Sequence, residues 1–283
     1  MALLNRKTGF IGAGNMAEAF IGAITRSGII ASSKVFASDV NTERLSLLKK
    51  KYGISAINDN FKVFSMCDIV ILAVKPQHIP AVLTQITSHE DYGIDGRKLI
   101  ISIAAGITLE KLESILYSPL NKENTINLPI IRVMPNTPAL VLSGMSGMAP
   151  NRYATSDDVN VVRTILEAMG KVIEFEEKDL DAVTALSGSG PAYVFYLAES
   201  MIQGGVNIGL APYDAVKLTI ETIKGAVALL EEIDEAPELL RKRVTSPGGT
   251  TEEAFKVLER KKVKEIIVEA IAAAARRSGE LSR

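Results

Sequence analysis

Gly9-Phe10-Ile11-Gly12-Ala13-Gly14-Asn15-Met16-Ala17 is the stretch on which the fold turns. Thr8–Ile11 is a short apolar run of strand type, and Ala17, Phe20, Ile21 and Ile24 follow at helical spacing. Between them lies a GxGxxG/A pattern. Its first glycine permits a tight turn, its second lets a pyrophosphate approach the backbone, and the small Ala17 lets helix and strand pack closely. Gly-rich turns are common, so the pattern gains meaning only from the strand before it and the helix after it. In that setting the free N–H groups and positive end of the helix face an anion.

Working outward, further strand-type runs appear at Val35–Ala37, Ile54–Ile57, Ile69–Val74, Leu99–Ile103, Ile130–Met134 and Val172–Phe175, with helical patterns between most of them. Ile69–Val74 is apolar throughout, as a strand buried on both faces should be. Repeated βα units predict a doubly wound parallel sheet of Rossmann type. From about residue 176 the pattern turns helical: Leu180–Leu186, Ala192–Val206, Ala215–Leu230 and Val263–Arg277. The expected division is therefore 1–176 for a nucleotide-binding domain and 177–283 for an all-α domain. The third helix carries a broad apolar stripe of Ala215, Leu218, Thr219, Thr222, Ile223, Ala226, Val227 and Leu230, and Val194, Leu197, Ala198, Met201 and Ile202 make another. Stripes this wide call for a second copy of the chain; a self-sufficient bundle is the alternative.

The second strand ends Ala37-Ser38-Asp39, about 20 residues beyond the glycine turn, where an acid normally binds the ribose 2′-hydroxyl and favours NAD. Ser38, Asn41 and Arg44 would instead suit a 2′-phosphate, and Asp39 has a third reading as a helix N-cap. Two loops at other strand ends stand out: Ala73-Val74-Lys75-Pro76 and Met134-Pro135-Asn136-Thr137-Pro138. Both can line a ligand cleft, and both can simply terminate strands. In the helical part, Ser187-Gly188-Ser189-Gly190-Pro191 joins two helices, with Pro191 expected at a first helical position. Ser246-Pro247-Gly248-Gly249-Thr250-Thr251-Glu252-Glu253 does the same, with capping-box spacing from Thr250 to Glu253. Capping leaves Ser246, the double glycine and the Thr251 hydroxyl unexplained; together they suit a small carboxylate.

The 283 residues carry 32 Lys and Arg against 33 Asp and Glu, a formal charge of −1 that gives no general attraction to nucleic acid or an anionic membrane. Cys67 is the only cysteine, and His78 and His89 are the only histidines. A disulfide within the chain is impossible, and no metal site is expected. Neither histidine has a partner pattern for catalysis, and both are expected to be structural or solvated. No apolar run approaches the ~20 residues of a membrane span. The chain reads as a soluble cytoplasmic protein without a signal peptide.

These motifs, in this order, resemble the pyrroline-5-carboxylate reductase family. The stretches that carry the likeness are Gly9–Ala17, Ala73–Pro76, Met134–Pro138, Asp181-Ala182-Val183-Thr184-Ala185-Leu186-Ser187-Gly188-Ser189-Gly190-Pro191-Ala192-Tyr193 and Ser246–Thr251, the last two being the most diagnostic. The resemblance implies a Rossmann domain followed by a helical dimerisation domain, a homodimer and a ring of dimers. It implies reduction of the C=N bond of 1-pyrroline-5-carboxylate to L-proline by NADPH, with NADH possible. Gly12, Gly14, Asn15, Met16, Ala17, Ser38, Asn60, Ala73, Val74, Lys75, Pro76 and Asn136 are the implied cofactor contacts. Ser246, Gly248, Gly249, Thr250 and Thr251 are the implied carboxylate cradle, with Thr251 also at the ring nitrogen. Asp39 sits beside the ribose position and weakens the expectation of an NADPH preference. A cyclic imine can be protonated before attack, which lowers the need for a strong side-chain acid and suits a chain with so little His. Two other readings remain: a hydroxyacid-type reductase with Lys75 as acid/base, and a dinucleotide-sensing dimer without turnover.

Overall fold

The computed structural model describes residues 5–282. In chain order the strands and helices are β1 (Thr8–Ile11), α1 (Asn15–Arg26), β2 (Val35–Ser38), α2 (Thr42–Tyr52), β3 (Ser55–Ala56), α3 (Asn60–Met66), β4 (Ile69–Leu72), α4 (Ile79–Thr87), β5 (Leu99–Ser102), α5 (Leu109–Leu116), α6 (Lys122–Ile126), β6 (Ile130–Met134), β7 (Gly144–Pro150), α7 (Ser156–Glu167) and β8 (Gly170–Glu174). Helices alone follow: α8 (Leu180–Val183), α9 (Gly190–Asn207), α10 (Pro212–Glu232), α11 (Pro237–Arg243), α12 (Thr250–Arg260) and α13 (Val263–Leu281).

The strands form one sheet in the order β3-β2-β1-β4-β5-β6-β7-β8. Strand order reverses between β1 and β4, and there the carboxyl ends of the strands open a crevice. Alternate residues feed opposite faces, both buried. Phe10, Ile69 and Ile71 pack with Phe20, Ile24 and Val162 in one cluster. Ile11, Val70 and Leu72 pack with Val63, Leu83 and Leu112 in the other. This two-sided burial is why the strands are apolar without alternation.

One feature departs from the sequence reading. The sheet is not wholly parallel: β7 runs antiparallel to β6, with Ile131 opposite Pro150 and Met134 opposite Gly147. The strand itself is unexpected, because Gly-Met-Ser-Gly-Met-Ala-Pro lacks the β-branched residues that signal one. Its composition answers to packing: a Cβ on Gly147 would lie 2.8 Å from Val183 and 3.2 Å from Phe175. By its internal packing the chain forms two compact units. Unit 1 comprises Met1–Ser189 with Ala274–Arg283, and unit 2 comprises Gly190–Ala273. Side chains anchor the start of the 177–189 segment to the sheet. Arg132 of β6, only 4% exposed, pairs with Glu177 at 3.3 Å and Asp181 at 3.8 Å. Asp181 also accepts a hydrogen bond from Ser278 at 2.7 Å, which draws the end of α13 into unit 1.

Unit 2 holds α9 to α12 and most of α13. Gly205 of α9 sits against Ala215 of α10, where an added Cβ would come within 3.1 Å of its neighbour. Ala215 and Thr219 are the only α10 residues that are buried. Leu218, Val227 and Leu230 of the expected stripe are about half exposed. A groove of about 600 Å³ lined by Phe255, Leu258, Ile267 and Val268 adds to this open apolar surface, and holds none of the candidate site residues.

Candidate cofactor and substrate site

The glycine turn is built by close backbone approach. Gly12 has φ +100°, and a Cβ there would lie 2.6 Å from the Ala73 carbonyl carbon. No L side chain fits that conformation or that space. Gly12 donates its N–H to the Ser38 carbonyl at 2.8 Å, and Ala73 donates to the Ile11 carbonyl at 2.8 Å. The ends of β1, β2 and β4 are thus locked together, which brings Gly12, Ser38, Ala73 and Val74 to one crevice. Gly14 caps α1 without a side-chain hydrogen bond, and a Cβ on it would meet nothing within 4 Å. Open space faces the unpartnered first-turn N–H groups of α1, and this is a fit for a pyrophosphate. Asn15 is exposed, Met16 half-buried and Ala17 fully buried against the sheet.

Charges behind the turn hold it rigid. Arg44 donates from Nε to the Ala13 carbonyl at 2.7 Å and forms an ion pair with Glu18. Glu18 also accepts from Lys51 at 2.8 Å and Tyr52 at 3.0 Å. The hydrogen bond from Lys51, joined by those from Arg44 and Tyr52, outweighs partial burial and lowers the Glu18 carboxyl to about 2. Asp39 is not the N-cap of α2. Asn41 is, accepting from the Arg44 N–H at 2.9 Å, because it alone stands three residues before that donor.

Ser38 and Asn60 meet: the Ser38 hydroxyl donates to Asn60 Oδ1 at 2.8 Å, and Asn60 reaches Gln85 at 3.2 Å. Gln85 escaped the sequence reading, since nothing in the pattern of α4 marks it. Lys75 is exposed and precedes a short 3₁₀ turn with Pro76 at its start. His78 is exposed, and His89 stacks on Phe61 with ring centroids 3.6 Å apart.

Asn136 is buried, and its amide links two motifs that look separate in sequence. Its Oδ1 accepts from the Met145 N–H at 2.9 Å, and its Nδ2 approaches the Ser187 carbonyl at 3.3 Å and hydroxyl at 3.4 Å. The Pro-Asn-Thr-Pro loop is therefore clamped to the Ser-Gly-Ser-Gly segment. That segment forms a π-helical turn, Thr184–Gly188, in which Ser189 donates to the Thr184 carbonyl at 2.8 Å. Such wide turns concentrate at functional sites. Pro191 proves to be the second residue of α9, not the first.

In unit 2, Ser246-Pro247-Gly248-Gly249 is a tight turn. Gly249 donates to the Ser246 carbonyl at 3.0 Å and Gly248 has φ +71°, with Pro247 before it as a type II turn requires. The capping box between Thr250 and Glu253 is absent. Gly249 is the cap, and Thr250 already lies in α12, so its hydroxyl cannot serve the N3 amide. Glu252 instead accepts from the Gly248 N–H at 2.7 Å, and Glu253 pairs with Lys256. The Thr250 hydroxyl is thus free of a capping role, and Thr251 is half-buried in the first turn of α12.

Among the described residues no group of three or more His, Cys, Asp or Glu is placed to hold a metal, and no helix is long and apolar enough to cross a membrane.

Residues 177–281 match the family model for pyrroline-5-carboxylate reductase dimerisation. Residues 7–106 match that for coenzyme F420-dependent NADP oxidoreductases. The pyrroline-5-carboxylate reductase of Methanosarcina acetivorans is 38% identical over 99% of both chains. Pyrroline-5-carboxylate reductase 2 of Bacillus subtilis is 37% identical, covering 98% of this chain and 95% of its own. The crystal structure of Plasmodium falciparum pyrroline carboxylate reductase with NADP bound superposes with a TM-score of 0.86 at 33% identity, over 99% of this chain and 100% of that one. A relation of this extent covers the glycine turn, the π-helical turn and the Ser246–Thr251 turn together, and the chain belongs to the pyrroline-5-carboxylate reductase family.

Proposed function

We propose that the chain reduces the C=N bond of 1-pyrroline-5-carboxylate to L-proline, the last step of proline biosynthesis, with NADPH as hydride donor and NADH also usable. The observation that carries this is the full-length relation to reductases of that name. The open, uncapped N-terminus of α1 behind Gly12 and Gly14 supports it independently.

We assign residues 1–176 to dinucleotide binding and 177–283 to dimerisation and substrate binding. Gly14, Asn15, Met16 and Ala17 hold the pyrophosphate with backbone N–H groups and the helix dipole, and Gly12 contacts the cofactor through the tight turn it permits. Ser38 and Asn60 stand at the ribose. Ala73, Val74, Lys75, Pro76 and Asn136 line the remaining length of the cofactor. The bound dinucleotide supplies the hydride, and the protein's task is alignment. Ser246, Gly248, Gly249 and Thr250 cradle the substrate carboxylate. Thr251 hydrogen bonds the ring nitrogen and fixes which face of the imine is presented. An imine protonated before attack becomes a neutral amine, so no alkoxide needs an acid. The assembly is a homodimer that builds into a ring of dimers, and it works in the cytoplasm.

The test is NADPH oxidation with 1-pyrroline-5-carboxylate, run beside NADH, 2-ketoacids and other cyclic imines. Turnover of the five-membered imine is expected. Turnover of ketoacids alone would mark a hydroxyacid-type reductase, and binding without turnover a dinucleotide sensor.

A further inference from the structure

Asp39 follows β2, at the strand end where the adenosine ribose lies in sheets of this kind. Two backbone donors from separate segments fix its carboxylate. Oδ2 accepts from the Ala13 N–H at 2.6 Å, inside the glycine turn, and Oδ1 accepts from the Asn41 N–H at 2.8 Å. Each oxygen keeps acceptor capacity for one more donor, which matches a pair of ribose hydroxyls. A phosphate on the 2′ position would set like charges side by side, and the pinned carboxylate cannot swing away.

The one cation nearby that would offset that repulsion is committed elsewhere. Arg44 is the only cation between Asp39 and Leu48. Its guanidinium serves the Ala13 carbonyl and Glu18, and reaches the Gly14 carbonyl at 3.4 Å. The Ser38 hydroxyl is given to Asn60. Val40, 97% exposed, has no polar side chain to offer, and Glu43 adds a negative charge.

We propose that Asp39 is the specificity-determining residue at the adenosine end: it accepts the 2′-hydroxyl, penalises a 2′-phosphate, and so holds this chain's use of NADPH close to its use of NADH. This deepens the proposed function and rests on it. The test is calorimetric titration of the whole chain with NAD⁺ and NADP⁺, without substrate, for the wild type, Asp39→Asn and Asp39→Ser. Wild-type NADP⁺ is expected to bind less than about tenfold more tightly than NAD⁺. Both variants are expected to move the ratio toward NADP⁺ by about tenfold or more, the scale of removing one partly exposed like charge. A purely structural role would weaken both nucleotides together and leave the ratio unchanged, and that result would overturn the proposal alone. If neither variant folds, the wild type still decides: an NADP⁺ preference of tenfold or more overturns it and a smaller one supports it. Failure of both nucleotides to bind the wild type would sink the proposal and the reductase function together.

Discussion

Phe20 and Phe195 are both helical phenylalanines, yet Phe20 is fully buried and Phe195 is 67% exposed. The contrast runs through the two units. In unit 1 each helix turns its apolar face onto a sheet made by the same chain, and the core closes. In unit 2, α9 has no buried residue, and Val194, Phe195, Tyr196 and Leu197 are exposed in succession all round the helix. A helix apolar on every side belongs in an interior. Unit 1 finds its interior within one chain, and unit 2 must find it in a second copy, as the dimerisation match over 177–281 indicates.

The largest effect should come from charging that surface. Leu218→Lys combined with Ile267→Lys would bury unpaired ammonium groups at an interface, a cost of several kcal/mol each. Sedimentation should show a monomer, and turnover should fall at least a hundredfold. A dimer of unchanged stability would place the interface elsewhere, and an active monomer would break the contrast between the units.

Truncation sharpens the same contrast. Phe20→Ala should destabilise the chain by about 3–5 kcal/mol in denaturant unfolding while leaving the dimer dissociation constant alone. Phe195→Ala should do the reverse, raising the dissociation constant tenfold or more. Equal effects of the two variants on both quantities would mean the units are not energetically distinct.

A smaller pair of effects divides the chemistry. Gly12→Ala forces a Cβ into the Ala73 backbone at a φ of +100°, a strain of about 1–3 kcal/mol that should appear chiefly as weakened dinucleotide binding. Thr251→Ala should lower turnover about tenfold to a hundredfold with little change in dinucleotide affinity. Unchanged steady-state rates in the second variant would remove Thr251 from the mechanism.

The sequence made these divisions legible to different degrees. The glycine turn and the buried run at β4 identify a nucleotide-binding sheet because each βα unit is local and repeats one pattern. Strand β7 was hidden because Gly147 answers to the close approach of Val183 of α8, and a propensity scale measures none of that. The clamp from Asn136 to Ser187 was invisible because it joins residues far apart in the chain through a π-helical turn without a sequence signature. Thr250 misled for a related reason: capping-box spacing was present, but Gly249 took the cap and shifted the helix start by one residue.

The smallest effect tests the rigidity of unit 1 where it matters for the cofactor. Glu18 ties Arg44, and through it the Ala13 carbonyl, to Lys51 and Tyr52 of α2. Its carboxyl lies at about 2 in the folded chain against 4.5 without these partners. Because the folded value is the lower one, the unfolded chain takes up the proton first as pH falls. The stabilisation is complete above pH 4.5 and disappears as pH drops through about 2. Glu18 is close to the surface, so solvent screening keeps its worth to about 1 kcal/mol. Glu18→Gln should therefore cost about that much at pH 6, with the gap to the wild type closing steadily between pH 4.5 and 2. A gap independent of pH would mean that packing, not charge, holds Arg44 behind the glycine turn.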